Sequence, residues 1–430
     1  MTGKTAAEGE AGEVRVTTLS NGLRVATDAM SGVRSASLGC WVGVGTRHEA
    51  APVNGVAHLV EHMLFKGTPR RSAYRISEEI EDVGGQLNAY TTREHTAYYA
   101  KVLEDDVGLA VDLIADMLQN SLIDEEELGR ERAVVLQEIG QAADTPDDII
   151  FDHFQAAAYP DQPLGRPVLG AADIVGKLGR GALTDYLAAH YNGPSMVLAA
   201  AGAVEHDRLV ELAEKAFEKL SDRPAPTPET GRYAGGEHRE DRDLEQVHLV
   251  LGFESVGMHD PDHYAHAIYS TLLGGGMSSR LFQEVREKRG LVYSIYSFTG
   301  GYHDGGLFGV YAGTGEDEVK ELVPVVCDEL MRSASDVGEE EIARAKAQLR
   351  AATLMALESS MSRCEHLGQQ LLVYGRPVPA EEVVARIDAV GRGDVFRAAE
   401  KLLSSPLTLA ALGPLSGLEA FDRVKARLNG

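Results

Sequence analysis

Residues 35–49, SASLGCWVGVGTRHE, followed at residues 54–67 by NGVAHLVEHMLFKG, decide the architecture. The first piece is a strand-length apolar run that ends in a polar loop. The second places apolar residues at helical spacing and stops at a glycine. The same order returns at residues 245–260, EQVHLVLGFESVGMHD, and 262–275, DHYAHAIYSTLLGG. A strand, a loop, a helix and a glycine stop, met twice, imply an internal duplication. The expected fold class is therefore α+β, with two related halves, each a mixed β-sheet packed with helices. Between the copies, residues 221–241, SDRPAPTPETGRYAGGEHRED, are rich in Pro, Gly and charge and have no apolar period. They read as an exposed linker. The expected division is 1–221, a linker at 222–241, and 242–430. At 430 residues the chain is long for a single hydrophobic core, which agrees with two halves.

The first duplicated helix contains His58-Leu59-Val60-Glu61-His62. At 3.6 residues per turn the two imidazoles lie about 40° apart around the axis and one turn apart along it, so they can converge on one metal ion. Glu61 falls within roughly 100° of both, within reach of a water on that metal. The flanking Val56, Leu59, Val60, Met63 and Leu64 are apolar, and buried imidazoles in such company need a compensating partner. A catalytic zinc takes three protein ligands and keeps one position open. The third ligand is sought on a helix that begins at the N-cap residue Asp124 and runs through DEEELGRERAVVLQEIGQ. It carries Glu131 and Glu138, seven residues apart and so on one face. Glu138, among Val134, Val135, Leu136 and Ile139, is expected to be the more buried. The residues alone leave open which carboxylate binds and which supports.

The order H-x-x-E-H is that of the inverzincins. Over essentially its whole length the chain resembles the pitrilysin and mitochondrial processing peptidase family, as a short, bacterial-type, half-size member. The resemblance implies a zinc metalloendopeptidase with one Zn2+ per chain, held by His58, His62 and Glu138. It makes Glu61 the base that activates water and Glu131 a carboxylate that assists catalysis. It also implies that the first strand of the hairpin in GGQLNAYTTREHTAYYAKV is an open edge, where Asn88, Ala89 and Tyr90 lie beside an added peptide strand. In LLGGGMSSRLFQEVREKRGLVYSIYSF, Arg286 and Tyr293 have the family's seven-residue spacing for contacts near the scissile carbonyl. Asp148 and Asp152, in TPDDIIFDHF, stand where the processing branch reads a basic side chain. PLGRPVLG, at residues 163–170, also looks like that branch. The second half, with His259, His263 and His266 but no HxxEH, reads as a degenerate copy without metal.

The zinc residues precede the linker and the Arg/Tyr pair follows it, so the resemblance implies a clamshell whose closure completes the site. Its half size implies a homodimer or heterodimer enclosing a chamber for unfolded or presequence-like peptides. Two alternatives are an active half that needs a different partner chain and a non-catalytic scaffold subunit. Against the scaffold reading, such subunits typically lose metal residues that this chain keeps.

The formal net charge of −25 argues against nucleic acid as a partner. No window is apolar enough for a membrane span. The small, acidic start MTGKTAAEGEAGEV lacks a targeting pattern. Cys40, Cys327 and Cys364 have no CxxC spacing, and a cytoplasmic setting is expected.

Overall fold

The computed structural model describes residues 14–428. Residues 1–13, which dominate the reading of the chain's start, lie outside the described residues. Among the described residues, eleven strands form two mixed sheets. The first contains β1 (Arg15–Thr18), β2 (Arg24–Ala29), β3 (Ser35–Val42), β4 (Gln86–Thr91), β5 (Thr96–Leu103) and β6 (Met196–Gly202), in the order β1-β2-β6-β3-β5-β4. The second contains β7 (Gly236–Asp241), β8 (Val247–Ser255), β9 (Val292–Gly301), β10 (Gly306–Thr314) and β11 (Thr408–Gly413), in the order β7-β11-β8-β10-β9. Without β1 the two follow one scheme. Each opens with a parallel pair, β2/β6 or β7/β11, and continues through three antiparallel pairs. The duplicated segments occupy equivalent places, since β3 and β8 are the central strands. The α+β fold of two related halves is what the structure contains.

The compact units are interleaved along the chain. Among the described residues, one comprises 14–136, 168–228 and 355–378; the other comprises 137–167, 229–354 and 379–428. Each sheet thus takes a helix from the opposite half of the sequence. Helix Ser360–Tyr374 lies on the first sheet through Cys364, Leu367 and Leu371, against Trp41, Val197, Ala199 and Ala201. The small residues of β6 let it approach closely, and a Cβ at Gly368 would stand 2.5 Å from the Trp41 ring. Helix Pro146–Ala158 does the same for the second sheet, with Ile150, Phe154 and Ala158 against Val250, Leu307, Ala410 and Leu412. A Cβ at Gly252 would lie 2.4 Å from the Phe154 ring. Phe154 is 1% exposed. Phe154→Ala should therefore cost about 3–5 kcal/mol of unfolding free energy, read in a urea titration. The exposed Val134→Ala should stay within about 0.5 kcal/mol of wild type.

Residues 222–235 contain neither helix nor strand, but 236–241, grouped with them by composition, form β7. The strand sits at a sheet edge and is held by main-chain pairing to β11, so it needs no apolar alternation and leaves no periodic signal. All three cysteines are buried and free. Among the described residues no helix is long and apolar enough to cross a membrane.

Candidate metal centre

His58, Glu61 and His62 sit on helix Val56–Leu64, whose start is fixed by a residue the sequence reading did not single out. The buried Glu49 carboxylate accepts from the backbone N–H of Gly55 (2.9 Å) and of Ala57 (2.8 Å), and from the Asn54 amide (2.8 Å). It satisfies orphan donors and places an anion at the positive end of the helix. Gly55 precedes the helix at φ 96°, a left-handed conformation, where a Cβ would stand 2.7 Å from Val175. Glu49 is six residues before the N-cap position, outside any local capping pattern, so only the folded loop reveals it.

Helix Glu125–Ala143 supplies the carboxylates. Asp124 caps it as expected, accepting from the backbone of Glu126 (2.9 Å) and Glu127 (3.1 Å). The boundary between the compact units falls within this helix, whose backbone carries Glu138 continuously onward from Glu131. One donor atom from each of His58, His62 and Glu138 lies within 4.8 Å of the others. The imidazole rings of His58 and His62 are 4.7 Å apart between centroids and nearly perpendicular. Burial, and then the neighbouring His62, push the His58 pKa down to about 4. Its ring is thus neutral at ordinary pH, the form a metal binds.

Glu131 has a different position. Its Oε2 is 3.0 Å from His62 Nδ1, and its Oε1 is 2.7 Å from the Lys66 ammonium. A carboxylate on Nδ1 fixes the ring and its tautomer and leaves Nε2 for a metal. The burial expectation is reversed. Glu131 is 6% exposed, whereas Glu138 is only partly buried, beside an exposed Val134. Val134, one turn before Glu138 on the same face, is itself exposed, so an apolar neighbour in sequence did not mean a buried face.

Glu61 accepts a hydrogen bond from the Thr91 hydroxyl, at the end of β4. Beyond the pairing with β5, β4 is the open edge of its sheet. Asn88, Ala89 and Tyr90 lie on it, with the Tyr90 hydroxyl donating to Glu365 (2.8 Å) on helix Ser360–Tyr374. Thr91 and Lys66 are contacts that no sequence spacing announced.

Two M16 domain profiles cover most of the chain: Insulinase (Peptidase family M16) at residues 24–172 and Peptidase M16 inactive domain at residues 177–349. A Streptomyces coelicolor protein named as an uncharacterized zinc protease is 42% identical over 95% of this chain and 91% of its own. The chain belongs to peptidase family M16. A second M16 relative, named as a probable mitochondrial-processing peptidase subunit beta of Arabidopsis thaliana, is 40% identical over 96% of this chain and 81% of its own length. A Mycobacterium tuberculosis protein named as an uncharacterized zinc protease is 44% identical over 93% of each chain. A chain of complex III2 from Candida albicans matches the fold with a TM-score of 0.87 at 23% identity, covering 97% of this chain and 100% of that one.

In the other compact unit, the Arg286 guanidinium lies 5.4 Å from the centre of the Tyr293 ring and 4.8 Å from that of Phe282. Tyr293 is 79% exposed, at the start of β9, itself an edge strand. Asp148 and Asp152 are one turn apart on helix Pro146–Ala158, the first exposed and the second half-buried. His266, a metal candidate by position alone, is 1% exposed with Nδ1 on the Ser255 hydroxyl at 3.0 Å. It reads as a core histidine.

Proposed function

We propose that this M16 protein is a zinc-dependent endopeptidase that takes its substrate as an added strand on β4. The observation that carries the reading is the convergence of His58, His62 and Glu138 on one point beside an open sheet edge. The donor set, two imidazoles and a carboxylate, suits zinc. When bound there, zinc would acidify a water toward neutral pH and polarise a carbonyl.

The residues of the chain supply the rest. Glu61 takes the proton of the attacking water and returns it to the leaving amine. Thr91 holds one Glu61 oxygen and so restricts the carboxylate's orientation. Glu131 aims His62 and is itself held by Lys66, which makes it a positioning residue rather than a direct proton carrier. On β4, Asn88 Oδ1 accepts from the Ala89 N–H at 2.8 Å. An incoming strand that used this donor would replace that contact with a ladder hydrogen bond. The neighbouring Tyr90 hydroxyl is held by Glu365. Arg286 and Tyr293 are assigned to the carbonyl and the downstream peptide, on the strength of family spacing and their stacking. Dimerisation into a chamber rests on the half-size resemblance. A cytoplasmic setting suits three free, buried thiols.

Purified, zinc-loaded protein should cut a quenched fluorescent peptide with an internal Arg. A zinc-loaded chain that cuts nothing, alone or with a related chain, would sink the peptidase reading. Asp148 and Asp152 are assigned to recognition of a basic residue near the cut. Asp152→Asn should lower kcat/KM for the Arg peptide by about two- to fivefold, the scale of one solvent-accessible charge pair, and leave an Ala-substituted peptide unaffected. Equal losses on both peptides would remove the specificity assignment.

A further inference from the structure

Away from the HxxEH helix, a second group of metal donors lies wholly within one compact unit: His153, His238 and Glu240. His153 is on helix Pro146–Ala158. His238 and Glu240 are two residues apart on β7 and so share one face of that edge strand. Glu240 Oε2 lies 3.4 Å from His153 Nε2 and 3.7 Å from His238 Nε2. Both separations are long for hydrogen bonds. They match the spacing of about 3.4 Å between ligand atoms around a tetrahedral ion with 2.0–2.1 Å bonds. Both Nε2 atoms are buried from solvent and have no hydrogen-bond partner. The imidazole rings are stacked, 4.0 Å between centroids and 13° from parallel. Two protonated rings would repel in that arrangement, whereas two neutral ones present two lone pairs side by side.

The carboxylate is positioned as a ligand would be. Arg242 Nε donates to Glu240 Oε1 and anchors its own side chain on the Ala143 carbonyl at 2.7 Å. This leaves Oε2 directed toward the two imidazoles. An outer partner of this kind orients a metal-binding carboxylate. Three protein ligands leave the fourth position of a tetrahedral ion for a water or a further donor.

We infer that His153, His238 and Glu240 form a second site for a divalent transition-metal ion of the zinc class, which clips helix Pro146–Ala158 to edge strand β7. The two imidazoles and single carboxylate favour zinc, copper or nickel over the oxygen-seeking magnesium and calcium. The ion joins segments far apart in sequence, so its binding stabilises their packing. Because that helix carries Asp148 and Asp152, the clip also fixes the segment assigned to basic-residue recognition.

The test counts zinc per chain by atomic emission after equilibration with Zn2+ and removal of excess, and follows Tm with and without Zn2+. Wild type should hold two zinc ions. The double variant His58→Ala/His62→Ala should hold one and still show a Zn2+-dependent rise in Tm. Adding His238→Ala to that background should remove the last zinc and the rise together. If His238→Ala disturbs folding, Glu240→Gln preserves size and the Arg242 contact while removing the anionic ligand, and should weaken binding in the same background. A His58→Ala/His62→Ala chain that holds no zinc, or zinc that survives His238→Ala and Glu240→Gln, overturns the proposal. The two zinc assignments fail separately. Wild-type zinc removed only by His58→Ala/His62→Ala sinks this second site, and zinc removed only by His238→Ala sinks the HxxEH centre.

Discussion

Glu61→Gln should lower peptide cleavage by about 10²- to 10⁴-fold, the contribution of a positioned proton-transfer group, while the metal content stays that of wild type. Gln keeps the size of Glu, and its amide oxygen can accept the Thr91 hydroxyl hydrogen bond that Glu61 accepts now. The variant loses only the ability to take a proton. Neither His58 nor His62 is altered, and the helix that presents them is held at its start by Glu49 and Gly55, away from the change. Cleavage of a quenched fluorescent peptide, measured beside zinc content, reads both halves of the claim. An undiminished rate would remove Glu61 from the chemistry. A loss of zinc together with rate would make it a ligand or a structural support.

His58→Ala should abolish cleavage and remove zinc from the HxxEH centre, with the fold retained. Alanine is the best helix former, and His58 stands inside a helix whose cap lies elsewhere. The low pKa records the cost of charging the buried imidazole, a cost the substitution removes at acid pH. The pH dependence has a definite sign. His58 is ordinarily protonated below about 6.5, but in the folded chain its pKa is pushed down to about 4. The unfolded chain therefore binds more protons between those values. The stability tied to this residue is complete above pH 6.5 and is lost as the pH falls toward 4. Zinc held by His58 competes with that same proton, so wild type should lose zinc at acid pH. Circular dichroism at neutral and acid pH, with parallel zinc assays, separates the effects. Retention of full zinc by His58→Ala would overturn the ligand assignment.

Much of this was legible before any coordinates. The strand–loop–helix of residues 35–67 and its echo at 245–275 disclose two related mixed sheets, because alternation and helical period are written locally. The HxxEH spacing puts two imidazoles on one helix face by helical geometry alone. Asp124 announces its helix through its own side chain. Glu131 and Glu138 can be read as a pair on one face, but their burial cannot. Tertiary packing put Glu131 against His62 and Lys66 and left Glu138 half-open. Thr91 on Glu61 and Glu49 on the helix start are likewise products of the fold, since each joins loops or strands with no shared period. The interleaving of the units has the same origin. Helices 146–158 and 360–374 look like ordinary amphipathic segments, and only the small residues and glycines they meet decide which sheet each covers. Strand β7 hid inside a polar linker because an edge strand can be held by its backbone. With it hid His238 and Glu240, which meet His153 only after folding. Periodicity and side-chain spacing are local and are carried by the sequence itself; which surfaces meet depends on shape and burial, which exist only once the chain has packed.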